Sequence, residues 1–526
     1  MSMLGGGLLL LVIILQSSPQ VSQTLPHLNL PESHLPYFFS SHHALARTCE
    51  QDDECPYKDY LGKKVCWGYE KNCKKKNRFH NPTCTIANTG WGSARTVEEN
   101  ADLFWKEADF GYVWERLQEM TVMCKPKEEG DSSLSCVKHS RYCRATNIYM
   151  DFANLDSENN SNRYRENLFK AGQVGGHCKL YPSRLAAEGK HKSALQSWYA
   201  ELEMFTSLPF RPIHDDKCDV VLDKPTYLMK LDAGVNMYHH FCDFINLYAS
   251  QHINGSFSQD VNIIMWDTSG LGYGDFFSDT WRAFSDYPII HLKEYDGKKV
   301  CIRDAVFPLL PRMQYGMYYN MPLVPGCSGT ALFKAFSEHV LHRLNITQDG
   351  PVRDKVRVTL LSRSTKWRRI LNEEELLNAM KSETRLDVRR VDYNWKKMSF
   401  TEQLKVTQNS DLLIGMHGAG LTHSLFLPDW GVLFELYNCE DPRCYKDLAR
   451  LRGVQYYTWE KENKITQREK GSHPSVGEHS KFVNYGFDVA EFMRIVQNAA
   501  DYIQGHPQFV AKQNNMDGSG DRHTEL

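Results

Sequence analysis

A glycine-rich segment flanked by two histidines is the most informative stretch of this sequence for chemistry. It reads IGMHGAGLTHSLFLP and contains His417, Gly418, Ala419, Gly420, Leu421 and His423. Two glycines between a predicted strand and a predicted helix let the backbone approach a ligand closely. The free N–H groups at the start of that helix, predicted over Leu421 to Leu427, favour an anion such as phosphate. The segment therefore predicts an anion site with two histidine donors; a tight turn with structural histidines is the alternative.

Two arginines and a glutamate can complete such a site for a nucleotide diphosphate. Arg363 follows the apolar strand predicted over Val356 to Leu361, and Arg368 lies five residues further on. A guanidinium group can hold a diphosphate through two parallel hydrogen bonds. Glu435 lies in the predicted strand Val432 to Leu436, where its carboxylate can accept from ribose hydroxyls or cap neighbouring backbone. Surface arginines in a basic run are the alternative interpretation.

A histidine and a carboxylate in the first half of the chain have the spacing of a general base. Asn236, His239 and Asp243 lie at offsets of three and four, on one face of a helix predicted over Met237 to Ser250. We expect Asp243 to be the base and His239 to orient it, with the reverse assignment open. His240 points about 100° away from His239 around the helix and is the weaker candidate. A buried, satisfied polar cluster is the alternative.

The triplet Glu294-Tyr295-Asp296 is similar to the DxD motif with which many glycosyltransferases hold a metal and a diphosphate. Its first acid is Glu, one methylene longer than Asp, which puts that geometry in doubt. A solvated turn is the alternative, because Asp296-Gly297 is a turn signal. We therefore expect no obligatory metal, with Mn²⁺ or Mg²⁺ as an optional addition.

The elements that must position these residues alternate between strand and helix. In the second half the alternation is strict and predicts a parallel, doubly wound sheet, with ligands bound beyond the carboxyl ends of its strands. Strands and helices also alternate between about 218 and 345, whereas helical patterns dominate 91 to 210. The predicted architecture is α/β, with two Rossmann-like domains facing a cleft and a disulfide-rich N-terminal extension. The predicted segments are a signal peptide (1–22), a cysteine-rich region (23–90), an acceptor-side domain (91–345), a nucleotide-sugar-binding domain (355–475), a closing helix (486–505) and a tail (506–526).

The cysteines and the chain ends indicate an oxidising compartment. Fifteen cysteines without zinc-type or CxxC spacing favour disulfides, and Cys439 and Cys444 are expected to close a small loop. The apolar run Leu8 to Leu15 fits a signal peptide and is too short to span a bilayer. The terminal residues resemble a KDEL-type retrieval signal: His523, Thr524, Glu525 and Leu526. We expect a soluble protein of the endoplasmic reticulum lumen, without a membrane span, that is recognised by a KDEL-type receptor.

Three sequons and the overall charge add to this interpretation. The N-glycosylation acceptors are Asn159, Asn254 and Asn345. With 62 basic and 64 acidic residues, the net charge of −2 argues against a general nucleic-acid-binding protein.

Three motifs together resemble those of glycosyltransferase family 61. They are GVNMYHHFCDF around Asn236 to Asp243, the triplet Arg363-Ser364-Thr365, and GMHGAGLTH with Phe426 and Pro428. The resemblance implies a GT-B fold, UDP-N-acetylglucosamine as the donor, inversion at the anomeric carbon, and Ser or Thr of folded EGF-like domains of secreted and membrane proteins as the acceptor. It also suggests that the triplet Glu294 to Asp296 supports activity. Transfer of a pentose and a non-catalytic lumenal binding protein for cysteine-rich domains are the alternatives.

Overall fold

The computed structural model describes residues 28–87, 94–318, 321, 324–473 and 477–520 and shows a mixed α/β protein. The α-helices are α1 (Leu35–Ser41), α2 (His43–Gln51), α3 (Val97–Ala108), α4 (Phe110–Glu119), α5 (Pro182–Ala187), α6 (Tyr199–Leu202), α7 (Met237–Asn254), α8 (Ala331–Arg343), α9 (Glu373–Lys381), α10 (Phe400–Gln408), α11 (Cys444–Arg452), α12 (Val489–Gly505) and α13 (Pro507–Gly520). Among these described residues, no helix has both the length and the apolar character needed to cross a membrane.

The strands are β1 (Thr83–Cys84), β2 (Thr121–Lys125), β3 (Ser133–Cys136), β4 (Cys143–Asp151), β5 (Val174–Gly176), β6 (Lys179–Leu180), β7 (Phe205–Ser207), β8 (Val220–Leu222), β9 (Thr226–Met229), β10 (Asn262–Met265), β11 (Ile290–His291), β12 (Lys299–Phe307), β13 (Cys327–Ser328), β14 (Val356–Leu361), β15 (Leu386–Val391), β16 (Leu412–Gly415), β17 (Val432–Glu435), β18 (Gln455–Thr458), β19 (Ile465–Arg468), β20 (Ser472–His473), β21 (Gly477–Glu478) and β22 (Asn484–Phe487). They form one large mixed sheet, one parallel sheet and three two-stranded pairs.

The second half of the chain forms a five-stranded parallel sheet with the order β15-β14-β16-β17-β18. The central strands β14, β16 and β17 are buried on both faces because α9 and α12 pack on one face and α10 and α11 on the other, whereas the edge strands β15 and β18 are only partly buried. The parallel, doubly wound order predicted from the sequence is confirmed for this half. Since β14 and β16 are direct neighbours, Arg363 and the HGAG loop leave the sheet side by side.

The first half contains an eleven-stranded sheet that is parallel on one side only. The neighbours β11, β10, β9 and β12 are parallel, whereas β12 pairs antiparallel with β4, and β3 and β2 continue antiparallel. The predicted dominance of helices over residues 91–210 is therefore wrong beyond α4. Most of the strands from β2 to β7 are only two to five residues long, which leaves too short an alternating pattern for the sequence to show.

Six disulfides cross-link the first half of the chain. They are Cys49–Cys55, Cys66–Cys73, Cys84–Cys327, Cys124–Cys178, Cys136–Cys143 and Cys218–Cys301. Cys439 and Cys444 are free thiols, so the small loop expected between them is not closed. The physical reason is that each thiol has its own partner: Cys444 begins α11 and contacts Tyr238 of α7, whereas Cys439 contacts Tyr485.

The two halves pack against each other through a shared apolar core. Helix α7 contacts the 3-10 helix Ala419–Phe426 of the HGAG loop, and the rings of Phe241 and Phe426 lie 5.5 Å apart. The same cluster includes side chains from α8, α10 and α11. This contact brings the start of α7 to the carboxyl end of the parallel sheet.

Candidate active site

Two arginine side chains of the second half lie against the backbone at Gly418. Gly418 has a φ of 155°, a conformation that other residues rarely adopt. A Cβ at this position would collide with Nη1 of Arg363 and lie 3.4 Å from Nη1 of Arg368. Arg368 has a left-handed φ of 61°, and its Nη1 donates to the carbonyl of His417 at 2.9 Å. Only glycine therefore lets both guanidinium groups reach this loop, and the strained arginine is of the kind that collects at ligand sites.

Neither arginine is neutralised by a carboxylate within the described part of the chain. Arg363 donates from Nε to the hydroxyl of Thr365 at 3.3 Å. Burial, together with the positive charge of Arg368, lowers the pKa of Arg363 from 12.5 to about 10. Two cations held together in a half-buried place without a counter-ion form a site that an anion would stabilise strongly. The arginines expected at this sheet edge are thus brought together.

The helix expected after HGAG is a 3-10 helix, Ala419–Phe426. A 3-10 helix of this length has a weaker dipole at its N-terminus than an α-helix. The arginines therefore supply most of the positive charge at this site. His423 is 2% exposed and uses Nδ1 to contact the carbonyl of Gly420 at 2.9 Å. Burial lowers the pKa of His423 to about 4, which keeps its imidazole neutral at pH 7. No described residue forms a hydrogen bond with its Nε2.

His417 and Glu435 form a buried pair rather than two separate ligand groups. Nδ1 of His417 donates to Oε1 of Glu435 at 2.8 Å, and the hydroxyl of Tyr456 donates to Oε2. Glu435 is fully buried. Because both carboxylate oxygens of Glu435 accept from protein side chains, Glu435 orients His417 in this structure. The ring of Tyr445 packs at 5.1 Å on the other side of His417.

A cavity of about 360 Å³ lies between the two halves beside these arginines. It is lined by Val235, Met237, Phe276 and Phe277 of the first half and by Arg363, Asp392, Asn394, Trp395, Ala419, Gly420, Leu421 and His423 of the second. The exposed rings of Phe276 and Trp395 stack across it with centroids 4.6 Å apart. Residues of the HGAG loop and of the start of α7 therefore line the same cavity, as predicted for a cleft between the two halves.

His239 has a carboxylate partner that the helical spacing did not predict. Its Nδ1 donates to Oδ2 of Asp232 at 2.7 Å, and Arg312 donates to both oxygens of Asp232 at 3.0 and 2.9 Å. Burial alone raises the pKa of Asp232, but the hydrogen bonds from His239 and Arg312 outweigh it and hold that pKa below its ordinary value. The ionised carboxylate fixes Nδ1 as the protonated nitrogen, which leaves Nε2 as the proton acceptor. Asn236 caps α7 by accepting from the backbone of Tyr238 at 3.1 Å.

Asp243 is fully buried and does not pair with His239. It accepts from Nδ1 of His240 at 3.2 Å and from the backbone N–H of Asp232 at 3.3 Å, while Nε2 of His240 lies 3.3 Å from Asp275. Burial raises the pKa of Asp243 to about 6; for His240 burial acts downwards, but its two carboxylates raise the pKa to about 9. The expected His239–Asp243 pair is replaced because α7 turns Asp243 and His240 into the core. His239 keeps a 24% exposed side chain.

The triplet Glu294 to Asp296 lies away from the arginines. Glu294 caps a 3-10 turn by accepting from the backbone of His291 at 2.8 Å, and Tyr295 is buried. Asp296 accepts from the backbone of Ser157 at 2.8 Å and from its hydroxyl at 2.9 Å. Both carboxylates therefore hold local backbone and side chains, and the triplet lines a different cleft from the one with Arg363.

The remaining predicted sites are dispersed. Asn159 and Asn345 are exposed, as glycosylation requires. Asn254 is half-buried, and its amide contacts the hydroxyls of Tyr227 and Tyr142, so this sequon is obstructed. The expected signal peptide (1–22) and the retrieval signal His523 to Leu526 lie outside the described residues.

Comparison with known proteins assigns the chain to a family. Residues 237–433 match the model for Glycosyltransferase 61. The chain is 58% identical over 486 residues to a dog protein (Canis lupus familiaris) named EGF domain-specific O-linked N-acetylglucosamine transferase, covering 92% of each chain. Proteins of the same name match from chicken (Gallus gallus), at 58% over 92% of this chain and 91% of that one, and from Drosophila melanogaster, at 49% over 85% of each. The chain belongs to glycosyltransferase family 61.

The family 61 match includes His239, Arg363 and the HGAG loop but begins after Asp232. Asp232 and Arg312 are the site residues that the sequence reasoning missed. A signal for Asp232 was present, since it comes three residues after strand β9, at the sheet edge where ligands bind. Nothing local marks Arg312, which lies 80 residues further along the chain.

Proposed function

We propose that this family 61 chain transfers N-acetylglucosamine from UDP-N-acetylglucosamine to Ser or Thr hydroxyls of folded EGF-like domains. The names of the relatives supply the sugar and the acceptor. The observation that carries the proposal is the pair of half-buried arginines at Gly418, which have no carboxylate partner among the described residues, together with a His–Asp dyad at the start of α7, where Met237 lines the same cavity as Arg363. A diphosphate leaving group and a proton acceptor on opposite walls are what a direct displacement at the anomeric carbon needs.

The architecture proposed for this reaction is GT-B-like. The parallel sheet of the second half supplies the Rossmann-like donor side, within the domain proposed over 355–475. The parallel side of the first sheet, within 91–345, supplies the acceptor side. The closing helix proposed over 486–505 corresponds in position to α12, which packs on the donor-side sheet.

The leaving UDP is held by Arg363 and Arg368 together with the HGAG backbone. As the bond from the anomeric carbon to the phosphate oxygen breaks, its electron pair stays on UDP, and the two guanidinium groups stabilise the added charge. We propose no obligatory metal, because the carboxylates of Glu294 and Asp296 already hold other groups and line a different cleft. Transfer should persist in EDTA; complete loss that Mn²⁺ reverses would contradict this point.

The acceptor proton goes to Nε2 of His239. In an inverting transfer, the hydroxyl oxygen attacks the anomeric carbon opposite the leaving UDP, and His239 removes its proton during the attack. Asp232 then stabilises the imidazolium, and Arg312 keeps Asp232 in place. Asp243, the base expected from the helix spacing, instead holds the backbone of Asp232 and the ring of His240.

The proposed location is the lumen of the endoplasmic reticulum. Six disulfides fit an oxidising compartment. A signal peptide over 1–22 and retrieval of the terminal HTEL by a KDEL-type receptor would place and keep the protein there. Secretion of a variant that lacks residues 523–526 is the expected result, and unchanged retention would contradict it.

The decisive experiment incubates purified protein and a folded EGF-like domain with a panel of UDP-sugars and measures the mass of the acceptor. A mass increase with UDP-N-acetylglucosamine alone is expected, and His239→Gln protein serves as the inactive control. An increase with a UDP-pentose would change the donor. Acceptor binding without transfer or donor hydrolysis would identify a non-catalytic lumenal binding protein.

A further inference from the structure

A second and wider cleft lies in the first half of the chain. It has a volume of about 1410 Å³ and includes Asp156, Glu158, Gly270, Leu271 and Asp296 in its lining. Pockets for small ligands have volumes of about 300–1,000 Å³. A wider, open and polar cleft fits the surface of a protein better than a nucleotide sugar.

One loop connects this wide cleft to the catalytic cleft. Gly270 and Leu271 line the wide cleft, while Phe276 and Phe277 line the cavity beside Arg363. Phe276 comes five residues after Leu271, so the two positions are at most about 18 Å apart. A compact domain of about 40 residues has a radius of gyration of about 9 Å, and hence a diameter of over 20 Å. Such a domain can dock against the wide cleft, with part of its surface inside it, and still present a side chain to the catalytic cleft.

The walls of the wide cleft are fixed by hydrogen bonds. Asp296 accepts from the backbone N–H groups of Asp156 and Ser157 and from the hydroxyl of Ser157. On the other side, the amide of Asn160 donates to the carbonyl of Thr268 at 2.7 Å, and Gly270 donates to the carbonyl of Asn160 at 3.0 Å. The cleft is therefore a preformed surface, and Asp296 is one of the residues that shape it.

The loop is also fixed against the segment that precedes the catalytic helix. A Cβ on Gly234 would lie 2.6 Å from the carbonyl oxygen of Gly274, and Phe276 donates to the carbonyl of Gly234 at 3.2 Å. Gly234 lies between Asp232 and His239 in the chain. Anything docked against this loop is thus held in a defined position relative to the proposed base.

We propose that the wide cleft is the docking surface for the folded acceptor domain, with Leu271 as its apolar contact. The proposal rests on the proposed function. Leu271 is 67% exposed, the highest fraction among the exposed large apolar side chains of the described residues. Docking would remove it from water beside a polar wall, the arrangement typical of protein interfaces. The proposal also predicts that Asp296 supports transfer by shaping the cleft for the acceptor, without contact with the diphosphate.

The test compares Leu271→Asp and Glu158→Arg with a matched control, Val352→Asp, which changes an exposed residue of the second half that is 39% exposed. Transfer to an EGF-like domain and hydrolysis of UDP-N-acetylglucosamine without acceptor are measured for each protein. We expect Leu271→Asp to raise the KM for the domain about tenfold, with unchanged kcat and unchanged donor hydrolysis. Val352→Asp should match the unmodified protein.

The outcomes separate the two proposals. An unmodified protein that does not transfer to the domain contradicts the proposed function itself. If that protein transfers normally and both cleft variants keep its KM, only the docking surface is wrong. Equal loss of donor hydrolysis in the cleft variants would also overturn it, because the effect would then lie in the donor site.

The sequon gives a second test. Asn159 is exposed and lines the same cleft, so a glycan attached there would fill the docking surface. The proposal requires Asn159 to be unmodified in active protein. Peptide mapping that finds Asn159 fully glycosylated in protein with normal transfer activity would overturn the proposal.

Discussion

The two walls of the cleft treat charge in opposite ways. On the second-half wall, Arg363 and Arg368 lie together without a carboxylate partner among the described residues. On the first-half wall, His239, Asp232 and Arg312 neutralise one another. Unmatched buried charge lowers stability unless a ligand of opposite sign binds, whereas matched charge fixes geometry and protonation. The second-half wall therefore suits binding of an anion, and the first-half wall suits proton transfer.

The largest expected effect comes from the proton-transfer wall. His239→Gln should lower kcat by about 10²–10⁴-fold, because the acceptor hydroxyl loses its general base. UDP affinity should not change, since His239 belongs to the other wall. Asp232→Asn should also lower kcat strongly, because an amide cannot fix the tautomer or stabilise the imidazolium. Kinetics with an EGF-like acceptor and calorimetric titration of UDP measure the two quantities separately.

Asp243→Asn distinguishes this wall from the buried cluster behind it. The substitution should lower the melting temperature while leaving a measurable kcat, because Asp243 acts through His240 and the backbone of Asp232. If the substitution abolishes transfer and leaves the melting temperature unchanged, Asp243 and not His239 is the general base.

The next effect concerns the anion-binding wall. Arg363→Ala should weaken UDP binding by about 30-fold, the equivalent of about 2 kcal/mol for a desolvated charge-assisted pair. Arg363→Lys keeps the charge but loses the two parallel donors of the guanidinium group. Its UDP affinity should therefore lie between that of the unmodified protein and that of Arg363→Ala. If titration calorimetry shows unchanged UDP affinity for the alanine variant, Arg363 does not bind the diphosphate.

A methyl group on the HGAG loop should act through the same arginine. In Gly418→Ala, the new Cβ meets the guanidinium of Arg363 and requires a strained φ, so we expect about tenfold weaker UDP binding. Gly420→Ala is the matched control, because its Cβ would lie 3.7 Å from the side chain of Leu361, an ordinary contact. Equal UDP affinity of the two variants would show that the close approach at Gly418 is unimportant.

The smallest effect is a pH dependence of stability at His423. Because burial lowers the pKa of His423 to about 4, its contribution is complete above the unfolded-state pKa of about 6.5 and is lost as pH falls towards 4. Between pH 7 and pH 5.5 this amounts to about 1 kcal/mol, or about 1 °C in melting temperature for a chain of this size. His423→Gln, which does not titrate, should show a correspondingly smaller decrease. An equal decrease in melting temperature between pH 7 and pH 5.5 for the two proteins would refute this prediction.

Sequence reasoning predicted that Arg363 and the HGAG loop of the second-half wall lie together, and the structure places them so. The strands β14, β16 and β17 and the loops after them follow from apolar runs and glycines that are contiguous in the chain. In a parallel sheet, loops after neighbouring strands meet at one edge, so Arg363 and the HGAG loop could be placed together. The 3-10 form of Ala419–Phe426 and the pairing of Glu435 with His417 and Tyr456 could not, because they depend on packing across the sheet.

The acceptor-side wall was decided by the tertiary structure. Helical periodicity places His239 and Asp243 on one face, but it does not say which side chain turns into the core; packing buries Asp243 with His240 and leaves His239 exposed. The true partner of His239, Asp232, lies across a strand-to-helix turn, and Arg312 arrives from another part of the chain. Likewise, the thiols of Cys439 and Cys444 are kept apart by contacts with Tyr485 and Tyr238. The sequence thus determined the residue types and the parallel scaffold, because these are local patterns, and only the folded chain decided which charges meet.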